Sequence, residues 1–399
     1  MEQASDSLFR NSRFLRLWIG QGISFVGDAI SMIAFIVLIV QITGSASAVG
    51  GLLFARFVPM LASPLVGVMA DRFDRRIILV ASDLARAVLV AVAVLVRDPL
   101  TLYVLVFLMG VARVFFNPTI RAAFPSVVGS GDLTRANAII SGTFSTSIAV
   151  GPALGGLLVA TVGVNTAFLL DAASYIISAV FLASIPLPRP QREESISFSQ
   201  ELWAGFSYLA SARIPLAIVV GAFLVILTIN ATVPAEIFLA KETFGAGDTG
   251  YGLLVGLWGG GMVLGSAVIA ALGDRTNLIL FYFLGIFVSA VALVGTGLAP
   301  TFAIALVALT VAGIANGTDN VTTDTILQKK VPDSLLGRVF AVRFLTYSTG
   351  EVLAYGAGGL IVDAVGPRST YLLAGAATVA VGILILLFVA TAPTKLTRN

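Results

Sequence analysis

The sequence predicts an all-α membrane protein whose twelve transmembrane helices fold as two pseudo-symmetric six-helix bundles. Composition, an internal repeat and the placement of charge carry that expectation. Of 399 residues, 58% are hydrophobic and 11% charged, and the mean hydropathy is +1.00, whereas soluble domains carry roughly a quarter charged residues. A chain of this balance must turn apolar surface toward lipid. The repeat starts from Asp71-Arg72, which returns as Asp274-Arg275, 203 positions later. The same offset carries Asn117 onto Asn320, Arg135 onto Arg338, Gly155-Gly156 onto Gly358-Gly359 and Gly163 onto Gly366. Agreement at one spacing across several regions indicates an internal duplication, a signature of membrane transporters.

At about 20 apolar residues per crossing, the spans of the first half cover residues 14–42, 48–70, 77–96, 101–124, 134–161 and 164–185. Those of the second half cover 214–240, 249–273, 277–298, 301–328, 334–362 and 367–391. The first apolar stretch is too long for a signal peptide and lacks a small-residue cleavage site, so it is expected to stay as the first span. An even number of spans puts both termini on one side. That side carries 17 Lys and Arg and the other three, Arg97, Lys241 and Arg368, so the positive-inside rule places the termini in the cytoplasm.

The expected domains are therefore 1–185, a cytoplasmic linker 186–213, and 214–399. Within the linker, Phe198, Leu202, Phe206 and Leu209 recur at helical spacing after a Pro-rich run, which predicts an amphipathic helix at the membrane surface. In the eighth span, Gly256, Gly259, Gly260, Gly261 and Gly265 predict close approach of neighbouring helices.

The chain has no Cys and no His. Disulfides, thiolate metal sites and thiol catalysis are excluded, transition-metal cargo is disfavoured, and proton chemistry falls to carboxylates. With no nucleophile beside a base, an enzyme is not expected. Nor is any cofactor or nucleic-acid partner: 24 Lys and Arg against 21 Asp and Glu leave a net charge of only +3.

Ionisable groups within spans are costly unless paired or hydrated, which makes each a functional candidate. Asp28 near the middle of the first span and Arg113 near the middle of the fourth share a depth and are expected to pair, with Asp28 as a proton carrier or a structural lock. Asp83 and Arg86 lie on one face of the third span at i, i+3 and predict a local ion pair. The tenth span gathers Asn316, Asp319 and Asn320 within about a turn, with Asp324 beyond. Asn230 and Glu236 in the seventh span, and Arg343 and Glu351 in the eleventh, complete the cavity candidates together with Asn117. Arg56 is read as a partner for Glu351.

The junction Gly67-x-x-x-Asp71-Arg72-x-Asp74-Arg75-Arg76 resembles the signature between the second and third spans of the major facilitator superfamily, with Asp74 where Gly is usual. That resemblance covers the whole chain and implies a central cavity and a cytoplasmic gate. In the gate, Asp71 would face the start of the eleventh span near Arg338, and Asp274, followed by Arg275, the start of the fifth near Arg135. A carboxylate at a helix N-terminus is electrostatically favoured. The stretch Gly151-Pro152-x-x-Gly155-Gly156 is similar to the antiporter motif of exporters in that superfamily, although Ser147 stands where a further Gly is usual. Phe9-Arg10, Gly27-Asp28, Phe116-Asn117-Pro118, Arg135-Ala-Asn137 and Asp171 resemble the branch of macrolide efflux proteins and enterobactin-type siderophore exporters.

The resemblance implies a monomeric, proton-coupled exporter of lipophilic or amphipathic small molecules in a bacterial inner membrane, in contact with lipid and working by alternating access. A lysophospholipid flippase of the same fold and a passive facilitator are the alternatives it leaves open.

Overall fold

The computed structural model describes residues 5–63, 66, 73–128, 132–187, 198–273 and 277–391. The regular elements among them are helical: α1 (Ser5–Arg10), α2 (Ser12–Thr43), α3 (Ala46–Phe57), α4 (Arg75–Ala93), α5 (Pro99–Val128), α6 (Leu133–Val162), α7 (Val164–Ala183) and α8 (Phe198–Ser211), then α9 (Arg213–Asn230), α10 (Val233–Phe238), α11 (Gly247–Leu272), α12 (Leu278–Leu298), α13 (Phe302–Lys330), α14 (Asp333–Val365) and α15 (Pro367–Ala390). Among the described residues, nine helical stretches are long and apolar enough to cross a membrane. The apolar stretch Ala46–Ala62 and the more charged α4 and α14 occupy three further expected spans, so the layout is consistent with twelve.

Two spans differ from the continuous helices expected. The second turns from α3 into a 3₁₀ segment, Val58–Ala62, where Pro59 sits at the entry and supplies no N–H. The seventh breaks between α9 and α10, just before Pro234, and then continues through a π-helical turn, Leu239–Thr243. A Pro at this point removes one helical hydrogen bond and crowds the carbonyl of Asn230.

The duplication reappears in the helix termini. Asp74 accepts from the N–H of Arg76 at 2.9 Å to cap α4, and Asn277, 203 positions later, accepts from the N–H of Leu280 at 3.1 Å to cap α12. The departure of Asp74 from the family signature is thus an N-cap, a role suited to Asp and Asn. Asp98 accepts from Thr101 N–H at 2.8 Å, which holds its carboxyl below the usual range; Thr301 caps α13 at the equivalent position. Gly163 and Gly366 both sit at φ 83°, in a region that favours Gly, at the joints before α7 and α15.

Contacts divide the chain into two compact units, Met1–Glu194 with Glu236–Gly260, and Ser195–Ala235 with Gly261–Asn399. The stretch Glu236–Gly260, expected in the C-terminal domain, groups with the first unit, and α8 groups with the second. In the first unit α2 packs on α6 and α7, α4 on α5 and α7, and α3 on α5. In the second, α9 packs on α14 and α15, and α12 on α13 and α15, the same plan shifted by the repeat. Helix α8 lies along α14: Gly205 faces the Arg338 carbonyl, Leu209 is buried, and the Tyr208 hydroxyl donates to the Lys330 carbonyl at 3.2 Å. Phe206 is exposed, beside Trp203.

The antiporter-like motif is a packing seam in the first unit. Gly151 meets the Ala29 methyl of α2, and a Cβ on Gly155 would lie 3.1 Å from Ile30 Cα. On the next face, a Cβ on Gly156 would lie 2.5 Å from the Asp248 carbonyl oxygen and 2.9 Å from Gly252 Cα. The expected glycine approach of α11 is met by Gly256 and Gly259, whose added methyls would crowd the Ala149 and Ile148 carbonyls of α6 at 2.9 and 2.7 Å. In the second unit, Gly261 and Gly265 make the same kind of approach to Thr310 and Ile314 of α13.

Gly142, also in α6, has open space where its Cβ would be. Gly156→Ala is therefore expected to destabilise the protein by about 1–3 kcal/mol through overpacking, whereas Gly142→Ala should be neutral or stabilising by up to about 1 kcal/mol. Thermal unfolding of the two variants in the same detergent tests the contrast, and equal midpoints would show that the seam is looser than described.

Candidate functional site

The first unit encloses a network of charge. Asp28 on α2 accepts a hydrogen bond from the Tyr175 hydroxyl of α7 and pairs with Arg56 Nη2 of α3 at 3.4 Å and with Arg86 Nη1 of α4 at 4.0 Å. Arg86 Nη2 also donates to Asp83 one turn earlier, the expected i, i+3 pair. The Arg86 guanidinium lies 4.5 Å from the Phe116 ring centroid and 4.4 Å from that of Tyr175. Aromatic faces on both sides supply favourable cation–π contact where water is excluded. Arg56, Asp83 and Arg86 are 7%, 0% and 4% exposed, so these charges depend on one another rather than on solvent.

Small residues make the assembly possible. Gly27 lets α2 approach α7: a Cβ there would lie 2.5 Å from Asp171 Oδ1. Gly110 of α5 seats α3 at the Arg56 carbonyl, with Pro59 Cγ 3.1 Å from where its Cβ would be. Asp171, fully buried, accepts from the Ser174 hydroxyl at 3.1 Å. Its Oδ2 has no hydrogen-bond partner among the described residues, nor have Asp83 Oδ2 and Arg56 Nη1.

Arg113 lines the same small cleft as Asp28, Arg56 and Arg86 and attracts the Asp28 carboxylate electrostatically, and Arg56 and Arg86 form ion pairs with Asp28 within 4.0 Å. Arg56, read as a partner of Glu351, forms an ion pair with Asp28 inside the first unit. Glu351 accepts from Tyr355 one turn on, at 2.9 Å. Asp171 entered the sequence analysis only as a family-like residue, and Tyr175 did not enter it. The pattern Asp171-x-x-Ser174-Tyr175, polar groups on one face of an apolar span, is the signal that marks them.

Beside this network lies a cavity of about 620 Å³ between α2, α5 and α6, lined by Phe25, Arg113, Asn117, Arg121 and Phe144 among others. Arg113 belongs to both the cleft and the cavity. The volume falls within the range of small-molecule sites, roughly 300–1,000 Å³.

The remaining candidates are dispersed. In the second unit, Asn320 Nδ2 donates to Asn316 Oδ1 at 3.1 Å, Arg343 pairs with Asp324 at 2.9 Å, and Asp319 is buried with Oδ1 unpartnered among the described residues. Asn230 is buried at the end of α9. Glu236 is buried in α10, in the first unit. Of the proposed gate, Gly67, Asp71, Arg72, Asp274 and Arg275 lie outside the described residues. Arg75 donates to the Ala122 carbonyl at 3.1 Å, Arg76 is exposed, and Arg135 stacks over the Phe9 ring at 5.7 Å. No group of three or more Asp or Glu able to hold a metal ion occurs among the described residues.

The family model described as "Transmembrane secretion effector" matches residues 4–397. The chain is 25% identical over 385 residues to macrolide efflux protein A of Streptococcus pyogenes, covering 93% of this chain and 94% of that protein. It is 28% identical over 339 residues to the putative bacilysin exporter BacE of Bacillus subtilis, covering 83% and 84%. With the enterobactin exporter EntS of Escherichia coli it shares 26% over 362 residues, covering 87% and 83%. Among solved structures, the nucleoside transporter NupG superposes with a TM-score of 0.76 at 14% identity, covering 94% of this chain and 99% of that one. A bacterial homologue of the iron transporter ferroportin superposes with a TM-score of 0.77 at 14% identity, covering 96% and 99%. At such identity the two structures speak to the fold alone.

Removing one member of a buried ion network strands its partners. Arg86→Gln is expected to cost on the order of 3–5 kcal/mol, and adding Asp83→Asn should recover part of that loss by removing the stranded charge. Denaturant unfolding of the single and double variants measures the coupling, and additive losses would mean that the pair is not energetically linked.

Proposed function

The chain belongs to the transmembrane secretion effector family and is a transporter of the major facilitator superfamily, and from that membership we propose that it exports amphipathic small molecules in exchange for protons by alternating access. The observation that carries this reading is the adjacency, inside one unit, of a carboxylate held by two buried arginines and a cavity large enough for a drug-sized molecule. The names of the efflux and export proteins it resembles favour outward transport.

Asp28 is the proposed proton carrier. As a carboxylate it ties α2 to α3 and α4 through Arg56 and Arg86, and Tyr175 adds a tie to α7. A proton arriving at Asp28 cancels the charge that holds both guanidinium groups, so the helices lose a restraint that only the ionised form supplies. Arg113, shared by cleft and cavity, is the proposed link between that event and cargo. The duplicated halves suit rocking about a central site. The gate residues Asp71, Arg72, Asp274 and Arg275, with Arg75, Arg76, Arg135 and Arg338, are proposed to close the cytoplasmic side. The excess of Lys and Arg on the side of the termini favours cytoplasmic termini in a bacterial inner membrane, and the protein is proposed to work as a monomer among lipids.

The test compares wild type with Asp28→Asn in everted membrane vesicles, using labelled erythromycin and a catecholate siderophore as cargo. Asp28→Asn should lose uptake driven by a proton gradient while still binding whichever cargo the wild type transports. Full gradient-driven uptake by the variant would overturn the assignment of Asp28.

A further inference from the structure

The cavity between α2, α5 and α6 has an uneven chemistry. On α5, Arg113, Asn117 and Arg121 follow one another at i, i+4 and i+8, so they line one face as a ladder of hydrogen-bond donors about 12 Å long between its outer Cα atoms. Phe25, Phe116 and Phe144 supply apolar and aromatic wall. Among the described residues, no Asp or Glu lines the cavity. Among the described residues, neither Arg113 nor Arg121 has a carboxylate within ion-pair distance or a hydrogen-bond partner. Arg113 lies within the span, where an ionised group calls for a counter-charge or water; Asp28 in the adjoining cleft supplies part of that charge from one side, and the cavity side of Arg113 is left facing Phe, Asn and Arg.

At the offset of 203, Arg113 corresponds to Asn316 and Arg121 to Asp324, and Asp324 is paired with Arg343 at 2.9 Å. The repeat therefore has an ion pair at Asp324 where Arg121 of the first half has none among the described residues. The cations of the cavity are a property of this half rather than of the fold.

We infer that this cavity binds an amphipathic anion: a molecule with an apolar, preferably aromatic, body and one carboxylate, sulfonate or phosphate that docks on Arg113 or Arg121. Guanidinium groups suit such anions because their planar fork donates two parallel hydrogen bonds. The aromatic walls take the body, and the Asn117 amide adds a donor between the two charges. A cationic ligand finds no counter-charge in the lining. This reverses the sign expected for a general exporter of lipophilic cations. It rests on the exporter reading only in taking the ligand as cargo, since the binding claim stands or falls on the cavity itself. An aromatic acid from solution and a single-chain anionic lipid share this chemistry, and the test separates them.

Full-length protein in phosphatidylcholine nanodiscs is dialysed to equilibrium against three probes that share one ring system, anthracene-9-carboxylate, anthracene-9-methanol and anthracene-9-methylammonium, with empty nanodiscs as the blank. The carboxylate should bind at least about tenfold more tightly than the alcohol, and the ammonium most weakly. Arg121→Gln and Arg113→Gln should each reduce carboxylate binding severalfold without affecting the alcohol. Arg113→Lys keeps the charge and retains most of the binding should Arg113→Gln fail to fold. Phe144→Ala should weaken the carboxylate and the alcohol alike.

Oleate and lysophosphatidylglycerol enter as competitors. Displacement by these lipids that is lost in Arg121→Gln assigns the anion to a lipid source, and its absence beside tight carboxylate binding assigns it to a soluble acid; both support the inference. Equal binding of the three probes, or a carboxylate preference unchanged in both Gln variants, overturns it. Anion-selective binding without transport would leave the inference intact and refute the exporter reading. Gradient-driven transport in a protein whose cavity shows no anion preference would do the reverse.

Discussion

The structure of the first unit depends on one constraint: charges taken out of water must be compensated by one another. Asp28, Arg56, Asp83 and Arg86 satisfy it by sharing partners across α2, α3 and α4, while Tyr175 joins them from α7. The features around them follow from that need. Gly27 lets α2 close on Asp171 and Ser174 of α7 and Gly110 lets α5 close on the Arg56 backbone of α3, and Phe116 and Tyr175 flank the guanidinium that serves two carboxylates. Removing one partner from a buried pair typically costs about 3–5 kcal/mol. Reversing a two-state population from 1:99 to 99:1 takes about 5.5 kcal/mol. Protonation of a single carboxylate in such a network is therefore on the scale needed to bias one conformation over another.

The repeat separates what the fold requires from what this chain adds. Caps, joints and helix pairings recur at the offset of 203: Asp74 with Asn277, Gly163 with Gly366, and the packing of α2 on α6 and α7 with that of α9 on α14 and α15. The network does not recur. The positions of Asp28, Arg56, Asp83, Arg86, Asp171 and Tyr175 become Ala231, Gly259, Ile286, Ser289, Ala374 and Thr378. The second unit packs its equivalent helices without that network, and a Thr228–Thr378 contact at 2.8 Å stands where α2 meets α7 in the first. Charges that the architecture can do without, retained despite their cost, are reasonably assigned to function.

The spans, the duplication and the i, i+3 pair of Asp83 and Arg86 were legible in the sequence, because each is written in local spacing or in self-similarity. The full set of partners of Asp28 was not. Matching Asp28 with Arg113 by depth placed both at one cleft, but that Arg56 and Arg86 also reach Asp28 depends on how α3 and α4 cross α2, and no local pattern encodes a crossing. The same limit hid Tyr175, 147 residues from Asp28 along the chain and hydrogen-bonded to it. The break before Pro234 was open to reading, since a Pro within an apolar span weakens the helix wherever its neighbours fail to re-satisfy the freed carbonyl. Ser147, which marks a departure from the antiporter motif, donates to the Phe144 carbonyl at 2.7 Å within its own helix, so the glycine seam begins at Gly151 rather than four residues earlier.

The central claim is that Asp28 changes its protonation state within the buried network. Infrared difference spectroscopy of the reconstituted protein, taken between mildly alkaline and mildly acidic buffer, observes that event without requiring a known cargo. The account predicts a protonated-carboxyl stretch that grows on acidification in the wild type and is lost in Asp28→Asn, with Arg56 and Arg86 intact. Identical difference spectra from the two proteins would contradict it and leave Asp28 as a fixed brace between helices.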